Sequence, residues 1–291
     1  MMTDFKGLAT TLFSGIVDKY SDLFIIIKEN LPKADMKIAF RTYMSTVLLT
    51  TVIVYLVSIF AIGIALLFIK SSLILSIAYI AFIPMTSAMI ILLSLTFYPV
   101  QRASSRKKNI ESNLPFVLTH MGAISGSGVP PYVIFRLISQ FSEYGELAKE
   151  MGKIVRNIDQ FGIDPLTAVK EVAEKTPSDS LREVLLGFVT TTESGGNMKI
   201  FLKSAGDQAL FEWRNRRERF LQQLSAYAEF YTGILIAAPL FIIALFSVLN
   251  QIQPEFSGYN ILSLMKMSIY IIVPVLNGAF LMFLGGVEVE M

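Results

Sequence analysis

TYMSTVLLTTVIVYLVSIFAIGIALLFI, residues 42–69, carries no charged side chain, and neither does SSLILSIAYIAFIPMTSAMIILLSLTFYPVQ, residues 71–101, which follows Lys70. A bilayer is crossed by about 20 consecutive apolar residues. Each stretch therefore spans with length to spare, by tilting or by projecting beyond the hydrocarbon. Lys70-Ser71-Ser72 leaves room only for a tight helical hairpin between them. Two more charge-free stretches lie between Glu229 and Glu255 and between Lys266 and Glu288. The predicted spans are residues 44–69, 73–98, 230–251 and 266–286, with edges good to about 2–4 residues. The first long apolar run starts near residue 44, after acidic Asp4 and an amphipathic segment, so no secretory signal is expected.

Composition agrees. Of 291 residues, 53% are hydrophobic and 16% charged, against about 25% charged in soluble domains. The net charge of +2 argues against a nucleic-acid partner. There is no cysteine, which removes disulfides, thiolate metal sites and cysteine nucleophiles. A single histidine, His120, cannot form a histidine ligand pair. The spans hold no Asp, Glu, Lys, Arg or His in their interiors, where proton relays and charged-substrate transporters place ionisable groups. Pro84, Pro239, Pro274 and Gly278, with the amide of Asn277, are the available helix breaks. A discontinuous-helix transporter uses such breaks, but prolines in membrane helices ordinarily only kink them.

Lysine and arginine set the orientation. Residues 1–41 hold 6, residues 102–228 hold 17, and Lys70 and Lys266 are the remaining 2 of 25. The bias predicts both termini and the middle segment in the cytoplasm.

That middle segment reads as helices throughout, with no lasting period-two alternation. Leu114-Pro115 is expected to open a helix over Phe116–Ser125, ended by Gly126-Ser127-Gly128. Pro130-Pro131 starts a second, and Gly145 separates a third over residues 146–159. Asp164 as N-cap and Pro165 at the first helical position start a fourth, which follows Gly162-Ile163 and runs to Lys175. Thr176-Pro177-Ser178 breaks it, and Ser178 caps a fifth that ends at Gly195-Gly196. The sixth runs from Asn197 past Trp213 into the third span. Leu166, Val169 and Val172-Ala173 share one face, as do Leu181, Val184, Leu185 and Phe188. The expected fold is all-α: four transmembrane helices with a cytoplasmic six-helix bundle between spans two and three. Four regions result: an amphipathic segment (1–41), a transmembrane hairpin (42–101), the helical module (102–228) and a second hairpin (229–291). In the first, Leu8, Leu12, Ile16, Tyr20, Leu23 and Ile27 recur at helical spacing, suited to the bilayer surface or to the bundle.

The order and spacing of this punctuation resembles the type II secretion system F family, the inner-membrane platform proteins of type IV filament machines. The resemblance rests on Leu114-Pro115, Ser125-Gly126, Gly162-Ile163-Asp164-Pro165-Leu166-Thr167-Ala168, Lys175-Thr176-Pro177-Ser178 and Glu193-Ser194-Gly195-Gly196. It covers residues 102–286, including the order two spans, module, two spans. The layout looks most like tight-adherence pilus and archaeal pilus or archaellum members. Many relatives carry two modules in one chain where this sequence has one, and Pro130-Pro131 after the first glycine turn departs from the pattern. The resemblance implies a platform beneath the growing filament. Its implied partners are a hexameric secretion ATPase, pilin-like subunits, and a second copy or a related single-module subunit.

Other motifs read more plainly. Gly122, Gly126 and Gly128 mimic a nucleotide loop but follow a helix and lack the Lys-Ser or Lys-Thr pair, so a helix–helix turn is expected. His120 has no constellation around it and reads as structural. Arg102, Arg106, Lys107 and Lys108 lie just inside the membrane, where anionic headgroups attract them. Of Arg214, Arg216, Arg217 and Arg219, the last precedes the third span by about ten residues, or ~15 Å of helix. They read equally as a solvated face and as a surface for an acidic partner, and with the resemblance they become the candidate ATPase contact. The turn residues Gly126, Gly162, Asp164, Pro165, Gly195 and Gly196 define the module. No catalytic, cofactor-binding or metal-binding residue is expected. The expected function is a membrane platform that couples the ATPase to assembly of pilin-like subunits. The alternative is a transporter, or a scaffold subunit of another membrane complex.

Because the chain has no native cysteine, introduced ones report topology cleanly. Cysteine at Ser72 or Ser257 is expected to react with an impermeant thiol reagent in intact cells, and cysteine at Ser178 is not. The reverse pattern overturns the orientation.

Overall fold

The second charge-free stretch does not stop at the membrane. In the computed structural model of the protein, which describes residues 2–68, 73–253, 255–256 and 258–287, one helix runs from Leu73 to Ser125. At 53 residues it is about 80 Å long. Leu114-Pro115 therefore opens no new helix. Pro115 sits inside this one, although an interior proline removes a hydrogen bond and costs about 3 kcal/mol. The helix continues because Ile110, Leu114, Val117, Leu118 and Met121 form one unbroken apolar stripe, and all five are buried in the core.

The other elements in chain order are α1 (Met2–Lys19), α2 (Ile25–Lys33), α3 (Phe40–Phe68), the long α4 (Leu73–Ser125), α5 (Pro131–Gln140), α6 (Gly145–Phe161), α7 (Pro165–Lys175), α8 (Asp179–Glu193) and α9 (Met198–Phe230). They are followed by α10 (Ala238–Ile252), α11 (Ile261–Met267) and α12 (Val273–Val287). Among the described residues the protein is all-α but for a hairpin of two-residue strands, Glu255–Phe256 against Tyr259–Asn260. Among the described residues, four helical segments are long and apolar enough to cross a membrane: Phe40–Leu66, and stretches within Ala78–Ser125, Met198–Ile252 and Ile261–Gly286. The fourth starts earlier than the charge pattern suggests, because Asn260 caps it, its Oδ1 accepting from Leu262 N at 2.9 Å. Lys70-Ser71-Ser72 as a tight turn lies outside the described residues. The chain packs as two compact units, residues 1–211 and 212–291.

In the first unit, α3 and α4 pair as a hairpin. Pro99 of α4 has no N–H for the carbonyl of Leu95, four residues earlier. The Tyr43 hydroxyl of α3 donates to that carbonyl at 2.6 Å. A backbone acceptor left over by a proline is thus satisfied by the neighbouring helix, as membrane interiors require. In the second unit, π-helical turns at Tyr231–Ala237 and Ser268–Ile272 lie just before Pro239 and Pro274. Widened turns relieve the ring clash that each proline brings. Tyr231 of the third span donates to Asn277 Oδ1 of the fourth at 3.2 Å, and the Tyr231 and Phe280 rings lie 5.3 Å apart.

The module core is built from α4 to α9. Phe135 and Phe188 meet at 4.9 Å, surrounded by Leu118, Leu147, Met151, Ile154, Leu181, Leu185 and Leu202. α4 and α9 touch backbone to backbone. A Cβ on Gly122 would lie 3.3 Å from Lys203 Cα, and one on Gly206 would lie 3.0 Å from Thr119 N.

A buried ion cluster fastens the N-terminal segment to the module. Arg106 Nε donates to Glu146 at 2.7 Å, one terminal nitrogen to Glu150 at 2.5 Å, and the other to the carbonyl of Lys33, at the end of α2. Lys153 pairs with Glu150 at 3.0 Å and with Asp35 at 2.9 Å. The Arg106 and Glu150 side chains are 6% and 2% exposed, so each depends on the other's charge. This corrects one expectation: Arg106 points into the protein, because the carboxylates on α6 and the carbonyl on α2 engage all three of its guanidinium nitrogens.

Two sets of variants probe these contacts. Tyr43→Phe strands the Leu95 carbonyl and is expected to lower stability by about 1 kcal/mol. Adding Pro99→Ala restores an N–H for it, so the double variant is more stable than Tyr43→Phe alone in reversible micellar unfolding; equal stabilities would break the link. Arg106→Met leaves the buried Glu150 with Lys153 as its remaining cation, at a cost of up to about 3–5 kcal/mol. Adding Glu150→Met recovers part of that loss. Burial opposes ionisation of Glu146, but Lys149 and Arg106 donate to it and hold its carboxyl below the usual range. Lys107 lowers that of Asp179. Both folded values are depressed, so this stabilisation is complete above the ordinary carboxylate pKa of about 4 and fades as pH falls through the lower folded values.

Candidate functional surfaces of the helical module

Local chain chemistry builds three turns at one end of the module. Gly162 takes φ +64° at the end of α6, where Gly162 N and Ile163 N bond back to the carbonyls of Ile158 and Asn157. Asp164 then caps α7, accepting from Leu166 N at 3.1 Å and Thr167 N at 3.2 Å, with Pro165 at the first position. Gly195 takes φ +70° after α8, and Gly196 N bonds to Thr191 O at 2.8 Å. Gly126 closes α4 onto the Ala123 carbonyl at 3.1 Å.

The helix starts show which end this is. Glu146 N, at the start of α6, donates to Asn109 Oδ1 at 2.8 Å. Lys107 reaches Asp179, at the start of α8, at 2.8 Å. Both starts therefore sit at the membrane-proximal part of α4. α6 and α8 run 17 and 15 residues away from it. Tyr132, which opens α5 beyond the α4 turn, donates to Asp159 near the end of α6 at 2.8 Å. All six turn residues thus lie at the membrane-distal end. Phe161 and Ile200 there are 67% and 65% exposed.

The basic candidates divide. Arg102 and Lys108 are exposed on α4, while Lys107 is half-exposed and paired with Asp179. Arg214, Arg216, Arg217 and Arg219 are all exposed on α9, in the second unit. Arg217 stacks over Trp213 at 5.9 Å.

The remaining motifs are structural. His120 Nδ1 lies 3.1 Å from the Tyr144 hydroxyl, and its ring lies 5.1 Å from that of Phe141. Gly122 belongs to the α4–α9 contact, not to a phosphate loop. A cleft of about 240 Å³ is lined by Asp35, Lys37, Lys153, Arg156, Glu171 and Lys175 among others. Its charges alternate in sign, so it presents no field of one sign to a ligand. Among the described residues, no group of three or more His, Cys, Asp or Glu is placed to hold a metal ion.

Sequence reasoning did not find the partners of Arg106 or the glycine contact. The spacing of Glu146 and Glu150, four residues apart on α6, was the available signal for the first.

Residues 117–246 match the family described as Type II secretion system (T2SS), protein F. An uncharacterized protein of Methanocaldococcus jannaschii is 24% identical over 201 residues, 68% of this chain and 34% of that protein. Flagella accessory protein J of the same organism is 26% identical over 192 residues, 66% of this chain and 33% of its own length. Flagella accessory protein J of Methanococcus voltae is 25% identical over 175 residues, 60% and 30%. The matched part thus spans about a third of these relatives. No solved structure matches the chain. The match at residues 117–246 covers α5 to α8 whole, the end of α4, all of α9 and the start of α10, and it is over this part that the chain is similar to the type II secretion system F family.

Proposed function

We propose that this protein is the membrane platform of a type IV pilus, type II secretion or archaellum-like machine, with its module and both termini in the cytoplasm. On this reading it is a structural coupler, not an enzyme. The family domain carries the reading. The two flagella accessory relatives favour the archaeal side of the family over a transporter.

The geometry supports a mechanical role. α4 enters the module from the second span without interruption, and α9 leaves it as a continuous helix through Phe230. A hexameric secretion ATPase that moves the module would pass force along these rods to the spans, where pilin-like subunits are lifted. A second copy or a related single-module subunit completes the pair of modules. Arg214, Arg216, Arg217 and Arg219 are the proposed ATPase contact, and Arg102, Lys107 and Lys108 the proposed headgroup anchors.

Exposed charge pairs contribute about 0–1 kcal/mol each, so a single substitution should do little. Arg214→Glu, Arg216→Glu and Arg219→Glu together are expected to weaken ATPase binding and abolish filament assembly while the protein still inserts. Binding to the unaltered protein should weaken as salt rises. Intact, salt-sensitive binding by the triple variant would move the contact elsewhere, with the membrane-distal turns next in line.

A further inference from the structure

α1 turns a charge-free surface outward. Residues 7–17, Gly-Leu-Ala-Thr-Thr-Leu-Phe-Ser-Gly-Ile-Val, carry no charge on any side of the helix. Helices that lie flat in a membrane interface need a strongly polar or charged face for the headgroups. This segment has only hydroxyls. Those of Thr10 and Thr11 are turned back on the carbonyls of Gly7 and Leu8 at 2.8 and 2.9 Å.

Its packing fixes its direction. α1 packs along α3, the first span. Ala9 and Val17 are 0% and 3% exposed, with Phe13 between them on the same stripe. Val17 belongs to one buried cluster with Met44 and Val47, near the start of α3. Asp18 pairs with Arg41 at 2.6 Å. Because α3 begins at Phe40, a helix that lies along it with its end at Arg41 must run antiparallel. α1 therefore climbs the first span toward the bilayer. On the adjoining stripe Leu8, Leu12 and Ile16 are 60%, 65% and 50% exposed.

We propose that α1 stands in the leaflet on the module's side, antiparallel to the first span, with Leu8, Leu12 and Ile16 against acyl chains. Residues 7–17 are about 16 Å long, roughly half of a hydrocarbon core of ~30 Å. Asp18, Lys19 and Tyr20 mark the headgroup level, Lys19 lying over the Tyr20 ring at 5.8 Å. In sequence the charge-free length ends at Lys6, and a charge at the bilayer centre costs about 2.5–3.5 kcal/mol. The occupant follows from continuity: this stripe adjoins the surface of α3, whose own outward residues Val52, Ile53 and Leu56 are exposed and apolar.

The test uses the full-length protein in liposomes, with spin labels on Leu8→Cys, Leu12→Cys and Ile16→Cys, and Ser194→Cys as the aqueous reference. Oxygen and a water-soluble nickel chelate compete as relaxants, which gives the depth of each label. The expected result is a gradient, deepest at position 8, of about 6 Å for each four residues. Equal depths would show a helix lying flat and overturn the proposal. Nickel accessibility equal to that at position 194 would place the stripe in water, and protection from both relaxants would mean that a protein covers it; either also overturns it. If a label impairs insertion, Leu12→Trp in a Trp213→Phe background with brominated lipids decides the matter. Strong quenching by chain-brominated lipid supports insertion, and none refutes it.

Discussion

The module depends on the place where α4 and α9 meet. These are its two long helices, and they touch through backbone, with Gly122 against Lys203 and Gly206 against Thr119. No side chain stands between them to yield. A methyl group at position 206 would sit at 3.0 Å from a backbone nitrogen, so the helices would have to separate and the layer around Leu118 and Leu202 would lose its fit. The shorter helices α5 to α8 complete a core whose spacing this contact sets. A rigid crossing would suit the mechanical role proposed above.

Membrane and module solve the same problem with different chemistry. Between the spans, the unsatisfied group is a backbone carbonyl released by Pro99, and a tyrosine hydroxyl meets it. Nearer the module, the unsatisfied groups are charges, and Arg106 gathers two carboxylates and a helix-terminal carbonyl around one guanidinium. In both places a polar group that could not be left alone in a low-dielectric setting is turned into a link between separate elements.

Much of this was readable from residue order. Charge-free runs located the spans, because charge is what the hydrocarbon excludes. Glycine, proline and capping residues located the helix ends from Gly162 to Asn197, because those ends are fixed by local backbone chemistry. What failed was Leu114-Pro115 as a helix start. A proline reads as a boundary when only neighbours in sequence are considered, and the apolar stripe from Ile110 to Met121 overrode it through contacts with distant residues. Arg106 was misread for a related reason. Four basic residues near a membrane look alike in sequence, and only the position of α6 shows that one of them faces inward. For the N-terminal segment, Leu8, Leu12 and Ile16 were seen as an apolar face, but periodicity cannot say whether such a face is turned toward the protein or away from it.

The three-way grip of Arg106 also constrains how this sequence can change over time. Nε and the two terminal nitrogens each serve a different acceptor, two on α6 and one on α2, a division of labour that the single ammonium of lysine cannot reproduce. Loss of the arginine leaves the buried Glu150 with Lys153 alone, and loss of Glu150 leaves the arginine with Glu146. Descendants of this gene leave the arrangement through a less stable intermediate or by replacing both residues at once. The pair at 106 and 150 should therefore be inherited as a unit.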